Sequence, residues 1–313
     1  MRVKLFPLLV GALLIPELVL SCSVFNFTLG GETRIGRNLD WIESSWGWVR
    51  FMPATVDDYG AMVFGVEDHI WPQGGMNDQG LVLGMTATPF LAIEPALGKL
   101  PVGLDFWELL FSQCADVPEV LAFLDLYDLG SVPGYFEQGQ MLWTDRYGNS
   151  AIVEGDLTIP RSGDFQVITN FLQSHPELGG WPCARFDLIV NRLTGQVTLD
   201  DEYLISVIEE VHGTIWGGYT VYSLYYDPHA LQVTIFNRGD FTQRITLDLE
   251  NELAAGTVEY DLDAFFTWPL TIFADGFESG DVCAWGSVSV PASGSPGSAA
   301  QRILGPIAWS SSW

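Results

Sequence analysis

The chain has 313 residues and carries 39 Asp and Glu against 13 Lys and Arg, a formal net charge of −26 at pH 7. A surface this acidic repels phosphate backbones and anionic membranes, which argues against nucleic acid as a partner. Residues 22–250 suffice for one large domain with a sizeable core.

Residues 1–21 have the three parts of a secretory signal peptide. Arg2 and Lys4 start it, an apolar run extends from Leu5 to Ile15, and Val19-Leu20-Ser21 ends on a small residue. The run is too short to span a bilayer, and no other stretch reads as a span. The expectation is therefore an exported protein: periplasmic, secreted or on the cell surface. Cleavage after Ser21 makes Cys22 the first residue of the mature chain. Val19-Leu20-Ser21-Cys22 also resembles a bacterial lipoprotein box, in which Cys22 is lipidated and its amine acylated.

Beyond Cys22, β-prone residues over 23–28, a Gly30-Gly31 turn and a second run over 33–39 predict a hairpin. Further strands are predicted over 61–66, 81–87, 140–144, 150–154, 165–169, 220–226, 232–237 and 243–247. Apolar residues recur with helical period over 104–114, 117–125, 184–193 and 201–212. Strands, then helices, then strands again make an α+β domain. Residues 251–313 form a C-terminal extension of different character. There Asp275-Gly276-Phe277-Glu278-Ser279-Gly280-Asp281 leads into a Ser/Gly/Pro/Ala-rich stretch. That composition suits a flexible tail, and the string resembles sorting or surface tails of large exported bacterial proteins.

Of the cysteines Cys22, Cys114, Cys183 and Cys283, none has the spacing of a disulfide framework or a zinc site. With Cys22 free, Cys114 and Cys183 are the favoured disulfide pair. His69, His175, His212 and His229 are scattered without metal-ligand spacing, so neither a metal nor a cofactor is expected.

A two-residue turn at Gly30-Gly31 fixes the hairpin register by counting. Leu29 faces Glu32, Val24 faces Arg37 and Cys22 faces Leu39, so Arg37 is a diagonal neighbour of Cys22 on one face. A guanidinium there favours the thiolate. Strict alternation sends the Asp40 side chain to the other face, so a catalytic Asp40 requires the strand to bend or end. A cysteine at a free amino terminus also supplies its own base, because an α-amine titrates near pH ~8 and can take the thiol proton.

A Cys start, a hairpin and Gly36-Arg37-Asn38-Leu39-Asp40-Trp41 resemble the N-terminal-nucleophile (Ntn) hydrolases of the choloylglycine hydrolase and penicillin V acylase group. Related amidases of the acid ceramidase and isopenicillin N acyltransferase type share the pattern. Gly75-Met76-Asn77-Asp78-Gln79-Gly80-Leu81, Ile168-Thr169-Asn170 and Cys183-Ala184-Arg185-Phe186 are similar to later segments of that group, in order. Thr220-Val221-Tyr222-Ser223 resembles its late strand pair. The resemblance covers residues 22–248 and implies an αββα sandwich, two antiparallel sheets between helical layers. It implies hydrolysis of a linear amide by Cys22, with Asp40 orienting the amine, Asn77 and Asn170 as oxyanion donors, and Arg37 and Arg185 tuning charge. The implied partner is a small-molecule acyl amide such as penicillin V, a conjugated bile salt, an N-acyl homoserine lactone, an N-acyl amino acid or a fatty amide. Trp41, Trp71, Phe90 and Phe136 are candidates for the acyl pocket. A homo-oligomer, an acyltransferase using the same cysteine, and a catalytically silent lipid- or tail-anchored binding protein stay open.

Overall fold

Two glycines in the left-handed region, Gly30 at φ 64° and Gly31 at φ 91°, turn the chain between β1 (Ser23–Leu29) and β2 (Glu32–Trp41). Their shape matches the twist of the flanking strands. The computed structural model describes residues 22–42, 44–67, 69, 71–213, 219–266 and 301–302. The hairpin register is the counted one: Leu29 pairs with Glu32, Val24 with Arg37 and Ser23 with Asn38. The second strand runs past the predicted 33–39 to include Asp40 and Trp41.

An antiparallel meander follows, β3 (Gly47–Met52), β4 (Ala61–Val66), β5 (Gly74–Asn77) and β6 (Val82–Ala87). A short parallel pair, β7 (Leu100–Pro101) with β8 (Tyr127–Asp128), brackets α1 (Phe106–Gln113) and α2 (Val117–Leu124). Asp116 caps α2 by accepting from the Glu119 N–H. Then come β9 (Gly139–Thr144), β10 (Ser150–Glu154), β11 (Leu157–Pro160) and β12 (Phe165–Ile168). Helices α3 (Ala184–Leu193) and α4 (Asp201–Glu210) precede β13 (Tyr219–Asp227), β14 (Gln232–Asn237) and β15 (Asp240–Asp248). The chain continues through α5 (Leu249–Ala254), β16 (Val258–Asp261) and β17 (Gln301–Arg302).

These strands make a six-stranded sheet, ordered β12-β1-β2-β13-β14-β15, and a nine-stranded sheet, ordered β11-β10-β9-β6-β5-β4-β3-β16-β17. Between them lies one core, where Val24, Ile35, Leu39, Tyr222 and Leu224 meet Phe51, Phe64, Met76, Val82 and Leu142. The alternate residues face outward under helices. Phe25, Phe27 and Phe236 pack with Ile189, Leu204 and Ile208 of α3 and α4, while Leu83 and Trp143 pack with Phe106, Phe111 and Val120 of α1 and α2. Both faces are covered over the inner strands, so β4 and β6 read as nearly continuous apolar runs, whereas the edge strands β11 and β15 are partly exposed. The result is the α+β, αββα sandwich that the resemblance implies.

Several elements were not legible beforehand, and β5 shows why. Gly74-Gly75-Met76-Asn77 has the composition of a turn, yet it is a strand whose two glycines lie under close neighbours, Gly74 under the opposite sheet and Gly75 under the adjacent strand β4. A Cβ at Gly74 would lie 1.9 Å from Arg37 Nη1, and one at Gly75 would lie 2.5 Å from the Met62 carbonyl oxygen. The domain also extends beyond 250, since β16 pairs with β3, Val258 opposite Phe51 and Asp261 opposite Trp48, and Leu262 enters the inter-sheet core. Residues 1–21, where the signal peptide is expected, and, within the extension, residues 267–300 and 303–313 lie outside the described residues. Cys114 and Cys183 are free thiols, which corrects the favoured disulfide. Cys114 sits under the nine-stranded sheet among the α1 and α2 side chains, whereas Cys183 precedes α3 beside the six-stranded sheet. Among the described residues no helix is long and apolar enough to cross a membrane.

Candidate active site

Cys22 stands immediately before β1, 4 % exposed, and its thiol donates to the Asp40 carbonyl oxygen at 3.5 Å. Val24 pairs with Ile168, so counting outward sets Asn170 level with Cys22 on one side and Leu39 level with it on the other. Leu39 in turn pairs with Tyr222, which completes a row across β12, β1, β2 and β13. Arg185, in the first turn of α3, ties this row together. Its Nη1 donates to the Cys22 carbonyl oxygen at 2.6 Å and its Nη2 to Asn170 Oδ1 at 3.0 Å. A cation at a helix N-terminus opposes the helix dipole, and these two contacts account for its placement. Asn170 Nδ2 donates to the Ala87 carbonyl oxygen at 2.9 Å, leaving its second N–H for another acceptor.

Arg37 is fully buried on the face shared with Cys22. Its Nη2 donates to the Met85 carbonyl oxygen at 3.4 Å, while Nε and Nη1 have no partner among the described residues. The guanidinium lies over Gly74 of the facing sheet. A buried charge without a carboxylate is costly, so it persists where something in its surroundings needs it.

Asp40 is also buried, and β2 neither bends nor ends to admit it. Its side chain follows alternation, on the side of Asn38, whose Nδ2 donates to the Ile208 carbonyl oxygen of α4. A bulge in β13 between Thr220 and Tyr222 sets Thr220 opposite Asp40, so that the Thr220 hydroxyl donates to Asp40 Oδ1. Asp40 Oδ2 has no partner among the described residues. Burial pushes the Asp40 carboxyl up from 3.8 to about 6, against the opposing pull of the Thr220 hydroxyl, Arg185, the Gly213 N–H and His212. Burial likewise raises the Cys22 thiol, and the Asp40 charge adds to this. Arg37, the Asp40 peptide and Arg185 act the other way.

Asn77 does not join this group. Its Nδ2 donates to the Phe111 and Cys114 carbonyl oxygens at 2.9 and 2.7 Å, and its Oδ1 accepts from the Gln79 and Leu81 N–H groups. All four valences tie the turn after β5 to the end of α1, on the outer face of the nine-stranded sheet. The amide has no N–H left for a substrate, which corrects its expected oxyanion role. Of the four aromatic candidates, Phe136 belongs to the same outer core, and Trp71 packs against its edge on Tyr135. Trp41 packs against the inter-sheet core and edge-on to His69, and Phe90 is exposed three residues after Ala87. Thr220, Tyr222 and Tyr226 of β13 carry no signal of function in the sequence beyond their place in the late strand.

The assembled groups are a thiol, two guanidinium groups, an amide with a free N–H and a carboxylate with a free oxygen. Such a set can generate a nucleophile and hold an anion. No protein-family model matches the sequence, and no curated protein matches it either. Solved structures do match. A variant of conjugated bile acid hydrolase from Clostridium perfringens superposes with a TM-score of 0.59 at 14% identity, over 77% of this chain and 96% of the other. A second variant of that enzyme gives 0.56 at 15% identity over the same shares. Penicillin V acylase from Agrobacterium tumefaciens gives 0.52 at 14% identity, over 78% of this chain and 92% of the other. The sheet order, the two helical layers and these likenesses together show that the chain has the αββα fold of the Ntn hydrolases.

Proposed function

We propose that the chain is an exported amidohydrolase that cleaves a linear N-acyl amide through Cys22 as an amino-terminal nucleophile. One observation carries this reading: Asp40 has a buried carboxylate oxygen without a partner among the described residues, and its own carbonyl accepts from the Cys22 thiol. A buried anion is tolerated where a cation completes it. Release of Cys22 after Ser21 supplies one, its α-ammonium. The names of the structural relatives, a conjugated bile acid hydrolase and a penicillin V acylase, point to acyl amides as the substrate class.

In this mechanism the α-amine takes the thiol proton and the thiolate attacks the amide carbonyl carbon. The second N–H of Asn170 donates to the developing oxyanion, a contribution of about 3–4 kcal/mol for one such donor. The ammonium then returns the proton to the leaving nitrogen, the C–N bond breaks, and water hydrolyses the thioester. Arg37 offsets the thiolate charge, and Arg185 holds both the Cys22 carbonyl and Asn170 in register.

N-terminal sequencing and intact mass of the purified protein, with hydrolysis of a panel of acyl amides, test the proposal. The expected result is a mature chain that begins at unmodified Cys22 and loses turnover in Cys22→Ala. A diacylglyceryl mass on Cys22, or full turnover by Cys22→Ala, overturns it.

A further inference from the structure

The inter-sheet face beside Cys22 holds more unpartnered polar atoms than a dry core tolerates. Arg37 Nε and Nη1, the Tyr222 hydroxyl and the Tyr226 hydroxyl are all buried without a hydrogen-bond partner among the described residues. Each such group costs about 1–3 kcal/mol when left unmade. The register places them together. Arg37 pairs with Leu224, so Tyr222 and Tyr226, two residues to either side on β13, are its diagonal neighbours on the same face. Phe64 of the facing sheet packs against both rings, with centroids 6.0 Å from Tyr222 and 6.3 Å from Tyr226. The two phenols differ in one respect. Tyr222 lies in the row of Leu39 and Cys22, whereas Tyr226 lies opposite Ile35, two rows away.

As a thiol, Cys22 donates to the Asp40 carbonyl, so it offers that carbonyl a proton and needs no donor. A thiolate cannot donate. Loss of the proton to the α-amine breaks this contact, and rotation about χ1 turns Sγ along the row, where it requires donors instead. Arg37 supplies charge; the second N–H of Asn170, beside Cys22 on the β12 side, is assigned to the substrate oxyanion, and the neutral donor on the other side of the row is the phenol of β13.

The geometry points to Tyr222 as a positioning residue for the nucleophile: its hydroxyl donates to Cys22 Sγ in the thiolate state while Arg37 donates to the phenol oxygen. The inference deepens the amidase reading by one residue, and it is read from the thiol alone, without an amide, so that the two can fail separately. Electrostatic neighbours of Cys22 are Asp40 and Arg37 from β2, Arg185 from α3 and Tyr222 from β13; His212 acts on Asp40. A tyrosine-to-phenylalanine change keeps every other member of this set. Because the hydroxyl has no partner among the described residues in the thiol state, Tyr222→Phe leaves folding stability unchanged or raises it.

The experiment is iodoacetamide alkylation of Cys22 in the purified mature protein from pH 6 to 11, followed by peptide mass spectrometry that resolves Cys22 from the other cysteines. Comparison is between the unmodified protein, Tyr222→Phe and Tyr226→Phe. A hydrogen bond to the charged form lowers a pKa by about one unit, so Tyr222→Phe moves the rising limb up by about one pH unit and slows alkylation about tenfold below it. Tyr226→Phe leaves the limb in place. Superimposable profiles for Tyr222→Phe and the unmodified protein overturn the inference. So does an equal shift in Tyr226→Phe, which would make the effect one of general core polarity.

Discussion

Replacing Arg37 with methionine separates the cost of the site from its use. The guanidinium is fully buried, keeps one hydrogen bond at 3.4 Å to the Met85 carbonyl, and leaves Nε and Nη1 without a partner among the described residues. Exchanging buried charged groups for apolar side chains of similar volume stabilises proteins by about 1–4 kcal/mol in several cases. Methionine has nearly the reach of arginine and is flexible enough to fill the space over Gly74. The Cys22 thiol is raised by burial and is neutral at pH 7, so no thiolate charge is stranded by the change in the resting protein. The expected outcome is a gain of about 1–4 kcal/mol in urea denaturation at pH 7, followed by tryptophan fluorescence. Removing the cation beside the thiolate at the same time raises the thiol pKa by about 1–3 units, so hydrolysis falls by about tenfold or more. A loss of stability in Arg37→Met would refute the reasoning, because it would mean that the guanidinium is already compensated in the resting state.

The two asparagines expected to be equivalent are expected to behave differently. Asn77→Ala removes four hydrogen bonds, three of them buried, so it costs about 2–5 kcal/mol in denaturation while kcat of the folded protein stays within about twofold. Asn170→Ala lowers kcat by about 10²–10³ with little change in KM, as measured by steady-state hydrolysis. Asp40 gives a pH test of the ammonium. Its folded pKa of about 6 lies above its ordinary 3.8, so the folded state holds the proton more tightly. The stability contributed by this proton is complete below about pH 4 and is lost as pH rises through 6, a loss of up to about 3 kcal/mol. An amino-terminally acetylated chain shows that loss in urea denaturation between pH 4 and 7.5. A free α-ammonium on Oδ2 removes it, and identical pH curves for the two forms would exclude that pairing.

What could be read beforehand was local. The Gly30-Gly31 turn sets the register of β1 and β2 within a few residues of chain, so Val24 opposite Arg37 follows from counting, and the structure has that pairing. The apolar runs of β9, β10 and β13 and the periodicity of α3 and α4 are local for the same reason. Alternation sends the Asp40 side chain to the far face, and the structure has it there, with the Asp40 carbonyl reaching the thiol and a bulge on the neighbouring strand supplying Thr220.

The remainder depended on which surfaces meet. An Asn-x-x-Gly turn has the same appearance whether its amide faces a substrate or the carbonyls closing α1, and only packing of the outer helices decided for Asn77. At Gly74 in β5 the missing side chain leaves the room that Arg37 from the opposite sheet occupies. Residues 258–261 joined the nine-stranded sheet because β3 offered an open edge. Sequence alone determined the four longer helices, the strands with a clear apolar run, the hairpin register and the presence of a cysteine with an arginine beside it. Tertiary structure decided that Arg185 and Asn170 converge on that cysteine, that Asn77 does not, and that Arg37 lies buried between two tyrosines. Backbone pairing is written in neighbouring residues, whereas desolvation and unpartnered charge exist only once two distant surfaces have closed on each other.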